Sequence, residues 1–308
     1  MGRFIAIRLL QFPLILAVIY LVTFLLVWVA PGDPFTRTDK KIDPAVIEAT
    51  KKRLHAEHWY TFLAHYPVMM LKGDFGQSFS YEEWPVSKII GDALPVSMTL
   101  GIFALLIATY AGIAIGAMAA VERGGAFDWF SLSVALIGIS LPSFVTGTIL
   151  FAICYAEFHW FPIGAWGSLR DLVIPGLALS LAPMAYIARL TRASMIDTLS
   201  SDFIRTARAK GVSRRIVIWK HALKNACLPV LSFLGPAAAA TLTGSFVVEK
   251  VFNIPGLGQH FVNSVLNRDQ TLILGTVMVY SVFLLTFNLV VDIAYALVDP
   301  RIDVTATA

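Results

Sequence analysis

Residues 189–228 read RLTRASMIDTLSSDFIRTARAKGVSRRIVIWKHALKNACL, a polar stretch closed by Pro229 and set between two long apolar runs. It carries nine Lys or Arg against two acids. The rest of the chain has the opposite character: 57% of its residues are hydrophobic, only 14% are charged, and mean hydropathy is +0.73. A soluble domain of ordinary composition is about 25% charged. The polar stretch therefore lies at a membrane face, with spans on either side of it. Long apolar runs cross hydrocarbon as helices, because each helix satisfies its own backbone. The expected class is an all-α integral membrane protein.

Working outward, residues 9–30 form an uncharged run behind Arg3 and Arg8, long enough to cross about 30 Å of hydrocarbon. A cleaved signal peptide is the competing reading. The run is too long for an ordinary signal core, and Trp28 stands where cleavage at Ala30 needs a small residue. An uncleaved first helix is expected, stopped by Pro31-Gly32-Asp33-Pro34. Further apolar runs at 95–120, 127–156, 172–190, 228–248 and 272–298 bring the expectation to six transmembrane helices. Hydrophilic joints at 121–126, 157–171 and 249–271 separate them, with no internal repeat and no second soluble domain. Cys154 and Cys227 fall at opposite ends of this map and imply no disulfide framework.

Basic residues favour the cytoplasmic side of a membrane. An even number of spans places both termini on one side, and that side, with the joints at 121–126 and 189–228, holds 13 of the 24 Lys and Arg. Eight more lie in 36–93, where nine acids between Asp33 and Asp92 offset them. The two short joints on that opposite side hold only Arg170, Lys250 and Arg268. Both termini and the polar stretch are expected in the cytoplasm, and 31–93 is a small extracytoplasmic segment after the first helix.

In that segment Asp43-Pro44 looks like a helix start, and Gly73-Asp74-Phe75-Gly76 reads as a turn. Trp59, Phe62, Leu63, Tyr66 and Met70 recur on one face of an amphipathic helix that Pro67 is expected to kink or shorten. His55, His58 and His65 lack nearby Cys and have only scattered acids, so they are read as solvated side chains and no metal site is assigned.

Within the polar stretch, Ser200-Ser201-Asp202 offers N-capping side chains for a helix beginning near Phe203, and Gly211 supplies its C-terminal stop. Phe203, Ile204 and Ala207 form a short apolar stripe, while Arg205, Arg208 and Lys210 point elsewhere. Ser213 is placed to cap a second helix through Ile216, Val217 and Trp219 up to Pro229. Attraction to anionic lipid is worth about 1 kcal/mol per basic residue. It requires neither a capped helix, an apolar stripe nor a glycine stop. A protein partner accounts for all three, so a cytoplasmic docking helix is expected.

These residues also carry a resemblance. Arg205-Thr206-Ala207-Arg208-Ala209-Lys210-Gly211, followed by Leu228-Pro229, resembles the cytoplasmic EAA loop of type I ABC importer permeases. Arg205 and Thr206 stand where Glu and Ala are usual, and Leu-Pro lies farther from the glycine; both departures resemble the peptide and nickel branch of that family. Ala30-Pro31-Gly32-Asp33-Pro34-Phe35, Gly73-Asp74-Phe75-Gly76-Gln77-Ser78-Phe79 and Leu141-Pro142-Ser143-Phe144 are similar to that branch too. So are Val248-Glu249-Lys250-Val251-Phe252, Pro255-Gly256-Leu257-Gly258, Asn267-Arg268-Asp269, Asn288-Leu289-Val290-Val291-Asp292 and Asp299-Pro300-Arg301. The resemblance runs nearly end to end and is nearest to the B-type permease subunit of oligopeptide importers.

The resemblance implies a type I ABC importer permease fold: a first helix over 1–30, an extracytoplasmic segment over 31–93, an ABC transmembrane type-1 domain over 94–297 with its coupling loop at 191–227, and a cytoplasmic tail over 298–308. It implies a homologous C-type permease as partner, so that the passage lies between two chains, with two ABC ATPase subunits on the EAA helices and an extracytoplasmic binding protein delivering peptide. Nucleic acid has no place among these partners. The chain has no Gly-Lys dipeptide and hence no P-loop. It is expected to be no enzyme and to hold no cofactor of its own, with ATP and Mg bound by the ATPase subunits. Phe203, Ile204 and Ala207 are expected to fill a groove on the ATPase, with Arg205, Thr206, Arg208 and Lys210 around them and Gly211 turning the chain past it.

The fifth span carries small and hydroxyl residues, among them Thr241, Thr243 and Ser245. Such residues serve close helix packing; lining a passage for varied peptides is the functional alternative. Asn288 and Asp292 lie four apart on the sixth span, and a structural pairing of Asp292 with Arg189, Arg192 or Lys224 is expected there. Arg189 and Arg192 are expected to snorkel, and Asp128 to cap the third span. A proton-coupled transporter needs buried carboxylates or histidines within the spans, and only Asp292 comes close. An intramembrane protease needs motifs that the chain lacks. Within the family, dipeptides, glutathione, murein peptides and nickel chelates are the alternative substrates.

Overall fold

Without water to bond to, each amide in hydrocarbon must find its partner within its own segment, and the apolar runs are helical accordingly. The computed structural model describes residues 2–30, 44–79, 81, 84–157 and 166–298, and among these there is no strand beyond one isolated bridge between Gln77 and Pro85. The Asp43 helix-start residue lies outside the described residues. The helices in chain order are α1 (Gly2–Val29), α2 (Pro44–Arg53), α3 (Trp59–Leu71), α4 (Val86–Val121), α5 (Ala126–Ser140), α6 (Ser143–Phe151) and α7 (Leu169–Leu199). After them come α8 (Asp202–Ala209), α9 (Arg214–Ile216), α10 (Leu223–Ala226), α11 (Leu228–Phe252), α12 (Leu257–Leu266) and α13 (Gln270–Val298), with π-helical turns at Ala152–Glu157 and Val217–Ala222.

Among the described residues four helices are long and apolar enough to cross a membrane, and the number rises to six if each of two bent pairs is one span. The third run is not straight. It breaks into α5 and α6 with a bend of 104°. The physical cause is Pro142, which disfavours helical backbone in the residue before it: Leu141 is extended, at φ −90° and ψ 127°. The fifth run is helical beyond its expected end, so Glu249 and Lys250 belong to α11 and not to a hydrophilic joint. Glu249 is fully buried there. Pro67 does not end its helix, which continues to Leu71.

The chain divides into two compact units. One comprises Met98–Asn253 and the end of α13 from Phe287. In it α4 and α7 pack backbone against backbone. A Cβ built on Gly112 would fall 2.8 Å from the Met184 carbonyl oxygen, and one on Gly116 would fall 2.8 Å from Thr191 Cβ. Small residues permit this approach where lipid supplies no hydrophobic drive between helices.

The other unit comprises Gly2–Ser97 and Ile254–Thr286. Among its described side chains α1 buries only Tyr20 and Phe24, against Leu54, Phe62, Tyr66 and Leu274. The Phe24 and Phe62 rings lie 5.9 Å apart, and the Tyr20 hydroxyl donates to the Leu63 carbonyl at 3.1 Å. Of the amphipathic face, Phe62 and Tyr66 are buried and Trp59 is exposed. The Tyr66 hydroxyl is shared between the carbonyls of Phe75 and Thr271, each at 2.9 Å. Burial and the nearby Asp269 carboxylate push its pKa well up, so it remains a donor. Asp269, fully buried, accepts from the Ser78 hydroxyl at 2.5 Å and from the Leu272 amide at 3.1 Å. The second bond is the N-cap of α13. The Ser97 hydroxyl oxygen accepts from the Leu257 amide at 2.8 Å.

Candidate functional site

The polar stretch leaves α7 through Ser200 and Ser201 and enters α8. Ser201 has the extended backbone of an N-cap, but its hydroxyl donates backward to the Thr198 carbonyl at 2.6 Å and does not cap α8. The other end of α8 is closed as expected for a glycine stop. Gly211 adopts φ +77°, its amide donates to the Arg208 carbonyl at 3.0 Å, and the Val212 amide donates to the Ala207 carbonyl at 3.2 Å. This pair of bonds is the Schellman motif. A Cβ on Gly211 would meet nothing within 4 Å, so its requirement is purely one of backbone conformation.

The apolar stripe does not act as one surface. Ile204 is fully buried in a cluster formed with Ala117 and Ala120 of α4, Met195 of α7, and Val217, Ala222 and Ala226 of the following segment. Ala207 and Val212 pack against the same cluster. Phe203 instead is 47% exposed. Arg205, Thr206, Arg208 and Lys210 are exposed beside it, and Arg205 pairs with Asp202 at 3.3 Å in solvent. The reason is angular: positions 204 and 207 share one helix face, and 203 turns toward its edge. Beyond Gly211 the outward face adds Ile216 and Trp219, both about half exposed, among Arg214, Arg215 and Lys220. Residue order places these two on the helix up to Pro229 but does not say which face is outward; Val217, Ala222 and Ala226, all fully buried, decide it.

Ser213 takes the N-cap position of α9 without a side-chain capping bond. The predicted continuous helix up to Pro229 passes through the π-helical turn at 217–222 and bends by 51° before α11.

The other candidate residues are distributed differently. Thr241 and Ser245 are buried within the chain's own unit, with hydroxyls donating to the carbonyls of Ala237 and Leu242. Both hydroxyls are thus enclosed and satisfied within α11. The Thr243 side chain lies outside the described residues. Asn288 sits against Gly235, where an added Cβ would fall 2.8 Å from its Oδ1. Asp292 is half-buried. Arg192 has a different partner from the one expected: its Nε and Nη2 both donate to Asp128, the latter at 2.7 Å. It therefore clamps α7 to α5 and does not snorkel. Asp128 is correspondingly no simple helix cap, since its second oxygen also accepts the Gly124 amide at 2.9 Å. Arg189 lies over the Tyr186 ring at 5.5 Å.

Comparison with known proteins places this arrangement. The model of the family described as binding-protein-dependent transport system inner membrane component matches residues 112–304, from within α4 past the end of α13. The dipeptide transport system permease protein DppB of Lactococcus lactis subsp. cremoris (strain MG1363) is 41% identical over 310 residues, covering 98% of this chain and 99% of its own length. The oligopeptide transport system permease protein OppB of Escherichia coli (strain K12) is 40% identical over 305 residues, with 98% and 99% covered. DppB of Bacillus subtilis (strain 168) is 41% identical over 307 residues, with 98% of each chain covered. A crystal structure of an amino acid ABC transporter with histidines matches 68% of this chain and 94% of that chain, at TM-score 0.52 and 19% identity, a likeness of fold. The chain thus belongs to the binding-protein-dependent transport system inner membrane components, as a non-catalytic permease subunit of an ABC transporter.

Proposed function

We propose that this chain is one half of the membrane passage of an ATP-driven peptide importer, and that α8 is where force from the ATPase enters. The observation that carries the reading is the two-faced character of α8. Ile204 and Ala207 weld it to α4 and α7, while Phe203, Arg205, Thr206, Arg208 and Lys210 are presented outward beyond a glycine stop. A partner meets an apolar centre at Phe203, with Ile216 and Trp219 available to extend it, and a basic rim that sets orientation and encounter rate more than affinity. Gly211 allows the sharp exit that keeps the partner's approach clear.

In this reading the chain crosses the membrane six times, each bent pair counting as one span, with both termini and α8 in the cytoplasm. A homologous second permease completes the passage. Two ATPase subunits bind ATP and Mg, and an extracytoplasmic binding protein delivers substrate. Oligopeptides are the first substrate reading. Dipeptides are the second, favoured by the two DppB relatives at 41% identity.

The test is capture of the complex from detergent-solubilised membranes, followed by ATPase assay with and without peptide. Recovery of a second permease and an ATPase, with hydrolysis stimulated by peptide, is expected; recovery of the chain alone overturns the reading. Labelled dipeptides and longer peptides competing for uptake decide between the two substrates. Phe203→Ala is expected to weaken ATPase capture at least threefold while leaving thermal stability unchanged.

A further inference from the structure

Charged groups within a membrane unit are costly unless they are paired, and Asp128 with Arg192 is such a pair, their side chains 3% and 22% exposed. Two guanidinium nitrogens grip the two carboxylate oxygens, and the Gly124 amide donates to the oxygen that also takes Arg192 Nη2. The pair thereby joins the turn after α4, the first turn of α5, and α7.

The contact between α5 and α7 is uneven. Near the bend the helices touch closely: a Cβ on Gly138 would lie 3.2 Å from Ala185 Cβ and 3.5 Å from the Leu181 carbonyl oxygen. An open pocket of about 230 Å³ runs along this seam, bordered by Phe130, Val134 and Gly138 of α5 and by Met184, Ala185 and Ala188 of α7. Close-packed interiors transmit displacement across their whole area. Here the Asp128–Arg192 pair adds a directional tie at one end of that contact, and Gly138 on Ala185 is a close approach nearer the bend. Past Arg192, α7 continues to Leu199 and leads into α8, and Met195 and Ile204 share one buried cluster. This end of α7 and α8 therefore move together. At its other end α5 leads into the 104° bend with α6.

We propose that the Asp128–Arg192 pair is a transmission strut. It carries the displacement of α8 through α7 to the first turn of α5, and so to the bent α5–α6 pair. Both are positioning residues for the coupling of ATP hydrolysis to transport, an inference that rests on the importer reading above.

The experiment uses the complete importer, purified with its ATPase subunits, reconstituted in liposomes and supplied with its binding protein. Labelled-peptide uptake and phosphate release are measured in the same preparation. Absence of peptide-stimulated phosphate release in the wild-type complex defeats the importer reading itself, before any variant is compared. Asp128→Asn and Arg192→Gln are each expected to lower the peptide taken up per ATP hydrolysed at least fivefold, with the ATPase subunits still co-purifying. The double variant is expected to be no worse than either single, because either alone breaks the link. Arg192→Lys keeps the charge without the two-point grip and is expected to give an intermediate ratio; it decides the matter alone if the other variants fail to assemble. A wild-type ratio in the assembled variants, whatever their thermal stability, overturns the strut, and so do additive losses in the double variant.

Discussion

The strip around Tyr66 to Ser78 with α12 is held by buried directional bonds: the Tyr66 hydroxyl to two carbonyls, Ser78 to Asp269, and Ser97 to the Leu257 amide. By contrast α8 is held inward by an apolar cluster centred on Ile204, Met195 and Val217, and its hydrogen bonds are those of its own turns. Directional bonds between buried groups fix one register, and a broken member leaves a costly orphan. Apolar clusters accept small changes of tilt for little cost as long as volume is kept. The polar strip is built as a fixed platform. α8 is seated by packing that tolerates a small change of tilt.

This contrast can be broken by substitution, beginning with the largest expected effect. Asp269→Ala removes the acceptor of the Ser78 hydroxyl and of the Leu272 amide, at about 1–3 kcal/mol for each buried donor. A large fall in the thermal unfolding midpoint of the detergent-solubilised protein is expected, with Asp269→Asn losing less because one oxygen remains. Equal losses would remove the argument from hydrogen bonding. Ile204→Ala is expected to cost about 2–5 kcal/mol, expressed locally as faster amide exchange through 200–227, while Ile204→Val keeps most of the protection. If Ile204→Ala left exchange unchanged, the cluster would not be what seats α8.

Gly211→Ala is expected to cost about 1–2 kcal/mol from the left-handed backbone alone. Nothing would clash, since the space around it is open. Gly211→Asn should recover part of that loss, read as protection of the Val212 amide; identical behaviour of the two variants would count against the conformational account. The smallest effect concerns pH. The Tyr81 and His260 rings lie 5.0 Å apart, and burial lowers the His260 pKa below its ordinary 6.5. The unfolded chain therefore binds that proton more tightly, so this group's contribution to stability is present above about 6.5 and is lost as the pH falls. Thermal midpoints at pH 7.5 and 5.5 are expected to differ less in His260→Gln than in the parent.

Much of this was legible in residue order. Uncharged runs of sufficient length announced the helices, and Gly211 announced the end of α8 because the left-handed position after a helix selects glycine. The Ser-rich entry to α8 misled. Ser201 holds the expected position, but its hydroxyl had a nearer acceptor in the last turn of α7. Leu141-Pro142 stood in plain view as a motif, but a proline inside an apolar run says only that a break is affordable there and not that it opens to 104°. Asp269 appeared only within Asn267-Arg268-Asp269, one of the stretches that carry the resemblance, with nothing local to reveal that it caps α13 and holds Ser78, a residue 191 positions away.

The sequence by itself determined the membrane class, the approximate helices and the position of a short basic helix between two spans. These follow from hydropathy, proline and glycine, which act on the residues immediately around them. Only the tertiary structure decided which face of α8 is buried, that Arg192 belongs to Asp128, and that Thr241, Ser245 and Glu249 are enclosed. The physical reason is that a side chain's exposure and partner depend on neighbours supplied by distant helices. Between residues 204 and 117, or 192 and 128, no local rule of the chain operates.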